Sequence, residues 1–230
     1  IADEIAVGFG RTGTMFAFEQ ALPLIHPVPA GARPAGDAGA AWPARSTRRE
    51  FPARPPGPSP ARGEGSESAA RPDFICLSKG ITGGYLPLSA VLTTDTVYAA
   101  FLDDATARGF LHSHSYTGNP LACRAALATL AIFESDNVLA ANRAKAAAFT
   151  KILAPLAAHP RVRHFRHLGM IWAFDVADAA PDFAADVHRR LLAHGVFLRP
   201  IANTVYLMPP YVATADDLAA VAAALGAVLD

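Results

Sequence analysis

The fold of this chain is decided at residues 73–85, which read DFICLSKGITGGY. A short apolar run ends there in Lys79, and a glycine-rich turn follows it. Apolar runs of this length, bounded by turn residues, are typical of strands that are buried on both faces of a sheet. The pattern therefore predicts a buried strand over 73–78 with Lys79 at its carboxyl end.

A lysine in that place has two interpretations. Burial disfavours the charged ammonium form and leaves a neutral amine, which is a nucleophile that forms Schiff bases with aldehydes. Alternatively, the long side chain of Lys79 reaches past the end of the strand and keeps its charge in solvent. The two interpretations differ in whether Lys79 is buried.

A second apolar strand is predicted in the opening residues, IADEIAV, and Asp3 lies at its end. A buried carboxylate needs a partner, and either an arginine or a protonated heterocyclic nitrogen would serve. Taken with Lys79, Asp3 suggests pyridoxal phosphate, with the aspartate holding the pyridinium and the lysine holding the aldehyde. The alternative for Asp3 alone is an ordinary loop or capping residue.

The next residues, GFGRTG at 8–13, have the glycine spacing of the fingerprint of dinucleotide-binding folds. That fingerprint also needs an acidic residue at the end of a following strand, and here the chain enters a proline-rich stretch instead. The plainer interpretation is a tight loop that needs the backbone conformations available to glycine.

Residues 112–120, HSHSYTGNP, precede a helix that is predicted at 121–133. Asn119 suits the N-cap of that helix, and Pro120 suits its first position. Hydroxyls and free backbone donors near a helix start suit a phosphate, so Ser115 is a candidate ligand. The alternative for such residues is ordinary helix capping.

Two other features carry candidate side chains. His112 and His114 would share one face of a strand, but no third ligand is evident, so no metal site is predicted. Arg199 ends a predicted strand before Pro200. Its planar fork can hold a carboxylate through two hydrogen bonds, and the alternative is a surface ion pair.

The order of the elements divides the chain into two predicted domains. The first, 1–135, has an α/β pattern and includes a Pro/Ala/Arg-rich stretch at 22–71 that we interpret as a disordered insertion. The second, 136–230, has an α+β pattern that begins with a helix at 138–156. Its other predicted elements are strands at 162–166, 170–176, 196–199 and 205–208, a helix at 183–194, and a last helix capped by Thr214.

Composition excludes several classes of protein. Hydrophobic residues make up 52% of the 230 residues, which excludes global disorder, and 20 basic against 20 acidic residues argue against a nucleic-acid binder. No apolar run is long enough to span a bilayer, so no membrane partner is expected. The two cysteines, Cys76 and Cys123, are typical of small buried side chains in a reducing compartment, the cytoplasm. Because the chain starts at Ile1, it is predicted to be the C-terminal part of a longer protein or a truncated product.

Five segments, taken together and in this order, resemble the class III pyridoxal-phosphate aminotransferases. They are residues 1–13, 76–85, 112–123, 195–200 and 206–211. The resemblance covers the chain except for about 22–71, and SKGITGG at 78–84 is closest to the biotin-pathway members of the family. It implies a fold-type-I transferase, represented here by part of the large α/β domain and the small α+β C-terminal domain.

The resemblance also implies a cofactor site for pyridoxal 5'-phosphate. Lys79 would hold the cofactor aldehyde and carry protons, and Asp3 would pair with the pyridine nitrogen. Ser115, where the family usually has threonine, would hold the phosphate from the neighbouring subunit of a homodimer. His114 would offer its backbone beside Ser115.

For the substrate, the resemblance implies that Ser113 lies beside it and that Arg199 holds its carboxylate. Arg11 is expected to line the same pocket. The implied reaction moves the amino group of S-adenosylmethionine to 8-amino-7-oxononanoate and gives 7,8-diaminononanoate for biotin biosynthesis. The alternatives are another class III aminotransferase, acting on ω-amino acids or ornithine, and an inactive fragment.

Overall fold

Two three-stranded sheets organise the part of the chain that the computed structural model describes, residues 1–20 and 72–230. The first sheet contains β1 (Ala2–Asp3), β2 (Phe74–Leu77) and β3 (Ala90–Thr93), in that order. Strand β1 is parallel to β2, with Asp3 beside Cys76, and β3 is antiparallel to β2. The predicted strand that leads to Lys79 is therefore confirmed, whereas the insertion predicted at 22–71 lies outside the described residues.

The second sheet is antiparallel and follows the order of the chain. It contains β4 (Val162–Leu168), β5 (Ile171–Val176) and β6 (Thr204–Leu207). Side chains on β5 alternate between buried and half-buried, as expected for a sheet with one face against a core. The hairpin that the sequence predicts between 162–166 and 170–176 is confirmed.

Five α-helices complete the described residues. They are α1 (Asp95–Ala99), α2 (Pro120–Ser135), α3 (Val138–Ala157), α4 (Phe183–Ala193) and α5 (Ala215–Leu229). Short 3-10 turns span Ala17–Gln20, Lys79–Thr82 and Thr106–Arg108. Both predicted caps are confirmed, because Asn119 Oδ1 accepts from the backbone of α2 and Thr214 forms a reciprocal capping box with Asp217.

The hydrophobic core lies between the second sheet and helices α3, α4 and α5. Its largest completely buried side chains are Trp172, Phe149, Phe174, Leu153 and Met170. By contrast, the segment from β3 to the end of α2 leaves large apolar side chains exposed, among them Leu111, Tyr116 and Leu121. The described residues therefore form one strong core, and it lies in the C-terminal half of the chain.

The strand predicted at 196–199 is wrong. These residues have no ladder partner among the described strands, and the next bridge joins Ile201 to Thr204. The backbone N–H of Val196 donates to the carbonyl of Leu191 in α4 instead. Of these residues Leu198 is buried and Phe197 is exposed, and the burial of one side chain does not supply a neighbouring strand.

The domain boundary near residue 135 stays a prediction. The first sheet lies wholly before that boundary and the second wholly after it, which agrees with the α/β and α+β patterns. Within the described residues, none of the helices combines the length and the apolar character that crossing a membrane requires.

Asp175 on β5 should make the stability of the second sheet depend on acid pH. His164 Nδ1 at 2.9 Å and the Thr204 hydroxyl at 2.8 Å lower the pKa of Asp175 from the ordinary 3.8 to about 2. A lowered carboxyl pKa stabilises the fold above pH 3.8, and this contribution is lost as the pH falls from 3.8 towards 2. In acid-unfolding curves, Asp175→Asn is expected to lower stability at neutral pH and to flatten the pH dependence in that range.

Asp182→Asn is the control for that measurement. Asp182 precedes α4, and its side chain makes no capping hydrogen bond. An acid-unfolding curve for Asp175→Asn that matches those of Asp182→Asn and the wild type would contradict the prediction.

Candidate functional site

Asp3 and Lys79 both lie at the carboxyl end of the parallel strand pair β1–β2. Asp3 is in register with Cys76, and Lys79 follows Cys76 by three residues, at most about 10 Å along the chain. The backbone N–H of Glu4 donates to the carbonyl of Cys76 at 3.0 Å, which fixes the two strand ends to each other. The structure therefore brings the predicted carboxylate and the predicted amine to one edge of the sheet.

Lys79 is exposed, so the expectation that its strand is buried on both faces is wrong. In β2 only Leu77 is buried, and the neighbouring strand β3 is largely exposed. The described residues do not cover both faces of this three-stranded sheet, and the lysine side chain therefore reaches the surface. Asp3 is exposed too, and its Oδ1 accepts from the backbone of Ile5 at 3.1 Å.

The backbone around Lys79 is held in an unusual conformation. Lys79 has a positive φ of 44°, which is uncommon for a residue other than glycine. Hydroxyl groups brace the segment on both sides, because Ser78 donates to the carbonyl of Leu88 at 2.8 Å and Thr82 donates to that of Leu86 at 2.6 Å. Residues held in such conformations occur preferentially at functional sites.

The other lysines of the sequence differ from Lys79 in position. The chain has three lysines, Lys79, Lys145 and Lys151. Lys145 lies on α3 and donates to the carbonyl of Tyr211, and Lys151 is exposed on the same helix. Among the three, only Lys79 follows a sheet strand and shares an edge with a carboxylate.

Glu4 is a buried carboxylate that no pattern in the sequence indicated. It is only 2% exposed, and its two oxygens accept from the backbone N–H groups of Ala17 and Phe18, each at 2.9 Å. Glu4 thereby caps the 3-10 turn Ala17–Gln20 and folds residues 8–16 into a closed loop next to Asp3. The sequence signal for it was weak, since an acidic residue beside another at a strand end is usually exposed.

Replacing Glu4 with glutamine is expected to lower the free energy of unfolding by about 2–3 kcal/mol. One of the two part-buried N–H groups then loses its acceptor and faces the buried NH₂ group of the glutamine. Glu19→Gln is the matched control. Glu19 Oε1 accepts only from Phe16, at 2.9 Å, and glutamine retains that oxygen. Urea unfolding of both variants measures the difference, and equal losses would contradict the role assigned to Glu4.

The glycine loop, residues 8–13, is a tight turn and not a nucleotide cradle. Gly10 and Gly13 have φ values of 84° and 104°, which confirms the plainer interpretation of the sequence. A Cβ on Gly10 would lie 2.8 Å from the side chain of Leu139 and 3.5 Å from the hydroxyl of Tyr211. Protein side chains therefore occupy the space next to the loop that a dinucleotide phosphate would need.

Arg11 joins the glycine loop to the C-terminal segment of the predicted substrate site. Its Nη1 donates to the carbonyl of Pro209 at 2.7 Å, and its guanidinium lies 4.5 Å from the centre of the Tyr211 ring. The Tyr211 hydroxyl donates back to the carbonyl of Phe9 at 2.6 Å. Burial raises the pKa of Tyr211 and the charge of Arg11 partly offsets this, so the phenol stays a donor at neutral pH.

Ser113, His114 and Ser115 lie in an exposed loop before α2. The segment is irregular, and the strand on which His112 and His114 would share a face is absent from it. Within the loop, the Thr117 hydroxyl accepts from the backbone of His114 at 3.0 Å. No three potential metal ligands among His, Cys, Asp and Glu come together in residues 1–20 and 72–230.

Arg199 lines a groove of about 640 Å³ that is bounded by residues 194–199, β6 with the residues that follow it, and the start of α5. The lining is mainly apolar, and Arg199 is exposed along it. Pro209, which accepts from Arg11, forms part of the same wall. The groove can therefore take an apolar chain with its carboxylate beside Arg199.

The predicted site residues thus fall into three groups in the described chain. Asp3 and Lys79 share a sheet edge, Arg199 lies on the groove, and residues 113–115 lie on an exposed loop. Arg11 connects the first two groups, since its own loop follows Asp3 and its hydrogen bond reaches the groove wall.

Comparison with known proteins gives a consistent result. Residues 66–229 match the family described as Aminotransferase class-III. The adenosylmethionine-8-amino-7-oxononanoate aminotransferase of Helicobacter pylori is 39% identical over 236 residues, which cover 100% of this chain and 43% of that protein. The protein of the same name from Nitratidesulfovibrio vulgaris is 34% identical over 95% of this chain and 33% of its own length. The chain therefore spans less than half the length of these curated relatives.

Solved structures agree with this match. The crystal structure of adenosylmethionine-8-amino-7-oxononanoate aminotransferase from Methanocaldococcus jannaschii superposes with a TM-score of 0.73 at 31% identity, over 98% of this chain and 44% of that one. A structure described as a transaminase with L-ala gives a TM-score of 0.71 at 24% identity, over 100% of this chain and 45% of that one, a likeness that concerns the fold alone. The fold is therefore α/β and corresponds to part of a fold-type-I transferase.

Proposed function

Because the chain belongs to the class III aminotransferase family, we propose that it carries the lysine and substrate-carboxylate parts of a pyridoxal-phosphate-dependent transaminase. The proposed reaction transfers the amino group of S-adenosylmethionine to 8-amino-7-oxononanoate and gives 7,8-diaminononanoate, for biotin biosynthesis. One observation carries the choice of substrates. Relatives from eight species, at 28–39% identity and aligned over at least 91% of this chain, have the same name.

The residues at the sheet edge fit the cofactor that the family implies, pyridoxal 5'-phosphate. An exposed primary amine and an exposed carboxylate lie at the ends of neighbouring parallel strands. Lys79 would hold the aldehyde of the cofactor, and Asp3 would pair with its protonated pyridine nitrogen. The Ser115 hydroxyl and the backbone of His114 would hold the phosphate, since they precede α2 and its N-terminal donors.

When it is bound, pyridoxal phosphate supplies an electron-withdrawing ring that makes a proton on the substrate carbon removable. The protein residues act around that chemistry. Asp3 keeps its carboxylate at the strand end, which favours a positive charge beside it. Lys79, with its amine free, would remove the proton from the substrate carbon and deliver a proton to the carbon on the other side of the transferred nitrogen. The positive φ and the two hydroxyl braces keep the lysine backbone in one place during this transfer.

Arg199 would hold the carboxylate of 8-amino-7-oxononanoate. The mainly apolar groove suits the methylene chain of that substrate, and the guanidinium on its lining can bind the carboxylate through two hydrogen bonds. Ser113 would lie beside the substrate. Arg11 contributes through the groove wall, because it holds the carbonyl of Pro209.

We further propose that the full-length protein is a homodimer in the cytoplasm. The loop that contains Ser115 lies in a surface with exposed apolar side chains: Leu111 is 82% exposed and Tyr116 is 72% exposed. A second copy would bury such side chains and bring the loop to the cofactor of its partner. Both cysteines, Cys76 and Cys123, are free thiols, which suits a reducing compartment.

A donor-exchange assay tests the proposed function. The full-length protein is loaded with pyridoxal phosphate and supplied with 8-amino-7-oxononanoate, and 7,8-diaminononanoate is measured by mass spectrometry. Product is expected with S-adenosylmethionine as donor, and none is expected with ornithine or β-alanine. If product forms with ornithine or β-alanine but not with S-adenosylmethionine, the proposed donor is wrong and the substrates are those of another class III enzyme.

A further inference from the structure

The segment that carries Arg199 is held in place without a sheet. Residues 195–199 have no ladder partner among the described strands, and three hydrogen bonds tie them to helix α4 instead, the first from the N–H of Gly195 to the carbonyl of Leu192 at 3.0 Å. The backbone N–H of Val196 donates to the carbonyl of Leu191 at 3.0 Å. His188 Nδ1 lies 2.8 Å from the carbonyl oxygen of Leu198, the residue directly before Arg199.

The hydrogen bond from His188 fixes the orientation of the peptide plane that joins Leu198 to Arg199. A carbonyl oxygen only accepts, so Nδ1 of His188 carries the proton and donates. Because the peptide unit is planar, fixing the oxygen of Leu198 also fixes the direction of the N–H of Arg199.

His188 also supports Arg199 through an aromatic contact. Its ring meets the ring of Phe197 edge to face, with centres 5.4 Å apart and planes at 88°. The guanidinium of Arg199 lies 5.8 Å from the centre of that Phe197 ring. Phe197 is 73% exposed, so few other contacts hold its ring, and His188 is the half-buried side chain that does so from α4.

We propose that His188 is a positioning residue that sets the guanidinium of Arg199 for a substrate carboxylate, a role that rests on the proposed function of Arg199. The histidine donates the hydrogen bond that a neighbouring strand would otherwise donate to the carbonyl of Leu198. It acts at two successive residues of the groove wall, Phe197 and Leu198, and is itself neither a cofactor residue nor part of the groove lining. A merely structural histidine would affect stability alone, whereas this one is expected to affect carboxylate binding.

Two amide variants of the full-length, cofactor-loaded protein test the proposal. In His188→Asn the amide NH₂ stands close to the place of Nδ1 and keeps the donor, whereas in His188→Gln it stands one carbon farther out. Binding of nonanoate, a nine-carbon carboxylate probe, is measured by calorimetry, together with KM for 8-amino-7-oxononanoate and kcat. We expect His188→Gln to raise both the Kd of nonanoate and the KM for 8-amino-7-oxononanoate about tenfold, while kcat stays within about twofold of the wild type. For His188→Asn, we expect the same Kd and KM to stay within about threefold of the wild type.

Arg199→Ala separates the two ways in which the idea can fail. If Arg199→Ala leaves nonanoate binding unchanged, the role of Arg199 in the proposed function is wrong, and the role of His188 is wrong with it. If Arg199→Ala weakens binding but His188→Gln does not, only the inference about His188 is overturned. Equal weakening by His188→Asn and His188→Gln, with equal losses of Tm, would also overturn it, because the donor position would then be irrelevant.

Discussion

Replacing Lys79 with arginine is expected to slow transamination by at least about a thousandfold while the protein stays folded. Arginine keeps a positive charge on the same exposed strand end, so packing changes little. It remains protonated at any pH the protein tolerates, and therefore cannot act as a nucleophile or carry the proton. Lys151→Arg, on the exposed face of α3, is the matched control and is expected to keep the wild-type rate.

A chemical readout accompanies the rate measurement. After loading with pyridoxal phosphate and reduction with borohydride, peptide mass spectrometry is expected to find the added mass on Lys79 and on neither Lys145 nor Lys151. Lys79→Arg should lose this labelling. A rate above about a tenth of the wild type in that variant, or the added mass on Lys145 or Lys151, would show that another residue performs the role.

Replacing Gly169 with alanine is expected to lower the free energy of unfolding by about 3–5 kcal/mol. Gly169 lies at the tip of the β4–β5 hairpin with a φ of 55°, and the next residue, Met170, donates its N–H to the carbonyl of Arg11 at 2.9 Å. A Cβ on Gly169 would lie 2.4 Å from the carbonyl carbon of Thr12 and 2.6 Å from the nitrogen of Gly13. Both are backbone atoms, so the hairpin would have to withdraw from the glycine loop.

Gly195→Ala is the control that separates the two costs of Gly169→Ala, the steric clash of the added Cβ and the backbone strain. Gly195 has a φ of 74°, and a Cβ built on it meets no atom within 4 Å. Its replacement carries only the strain of a left-handed backbone, about 1–2 kcal/mol. Urea unfolding of both variants is the measurement, and a loss for Gly169→Ala no larger than that for Gly195→Ala would contradict the contact between hairpin and loop.

Patterns that depend on near neighbours in the sequence predicted the fold well. The strand at 170–176, the proline and asparagine at the start of α2, and the Thr214 cap of α5 were all predicted, because capping and strand patterns act over a few residues. The strand at 196–199 failed for the converse reason. Whether an extended apolar segment joins a sheet depends on a partner strand far away in the sequence.

The same distinction applies to the candidate site: local features of its residues were predicted from the sequence, and contacts between distant residues were not. Lys79 and Asp3 were found because each ends an apolar run, and that position is visible in the sequence. The sequence left the exposure of Lys79 as one of two interpretations, since burial is decided by what covers the strand. Glu4, His188 and Tyr211 were missed because their partners are 13–14, 10 and 202 residues away along the chain.

The amino-acid sequence by itself determined the chemistry available to this protein: one lysine after a strand, one aspartate after another, and an arginine before a proline. Side-chain type and local backbone preference are properties of each residue, so they can be predicted without coordinates. Only the tertiary structure decided how those groups are held, through the buried Glu4 carboxylate, the hairpin tip at Gly169 and the tie between Arg11 and Pro209. Each of these is a contact between distant segments, and its free energy exists only once the chain has folded.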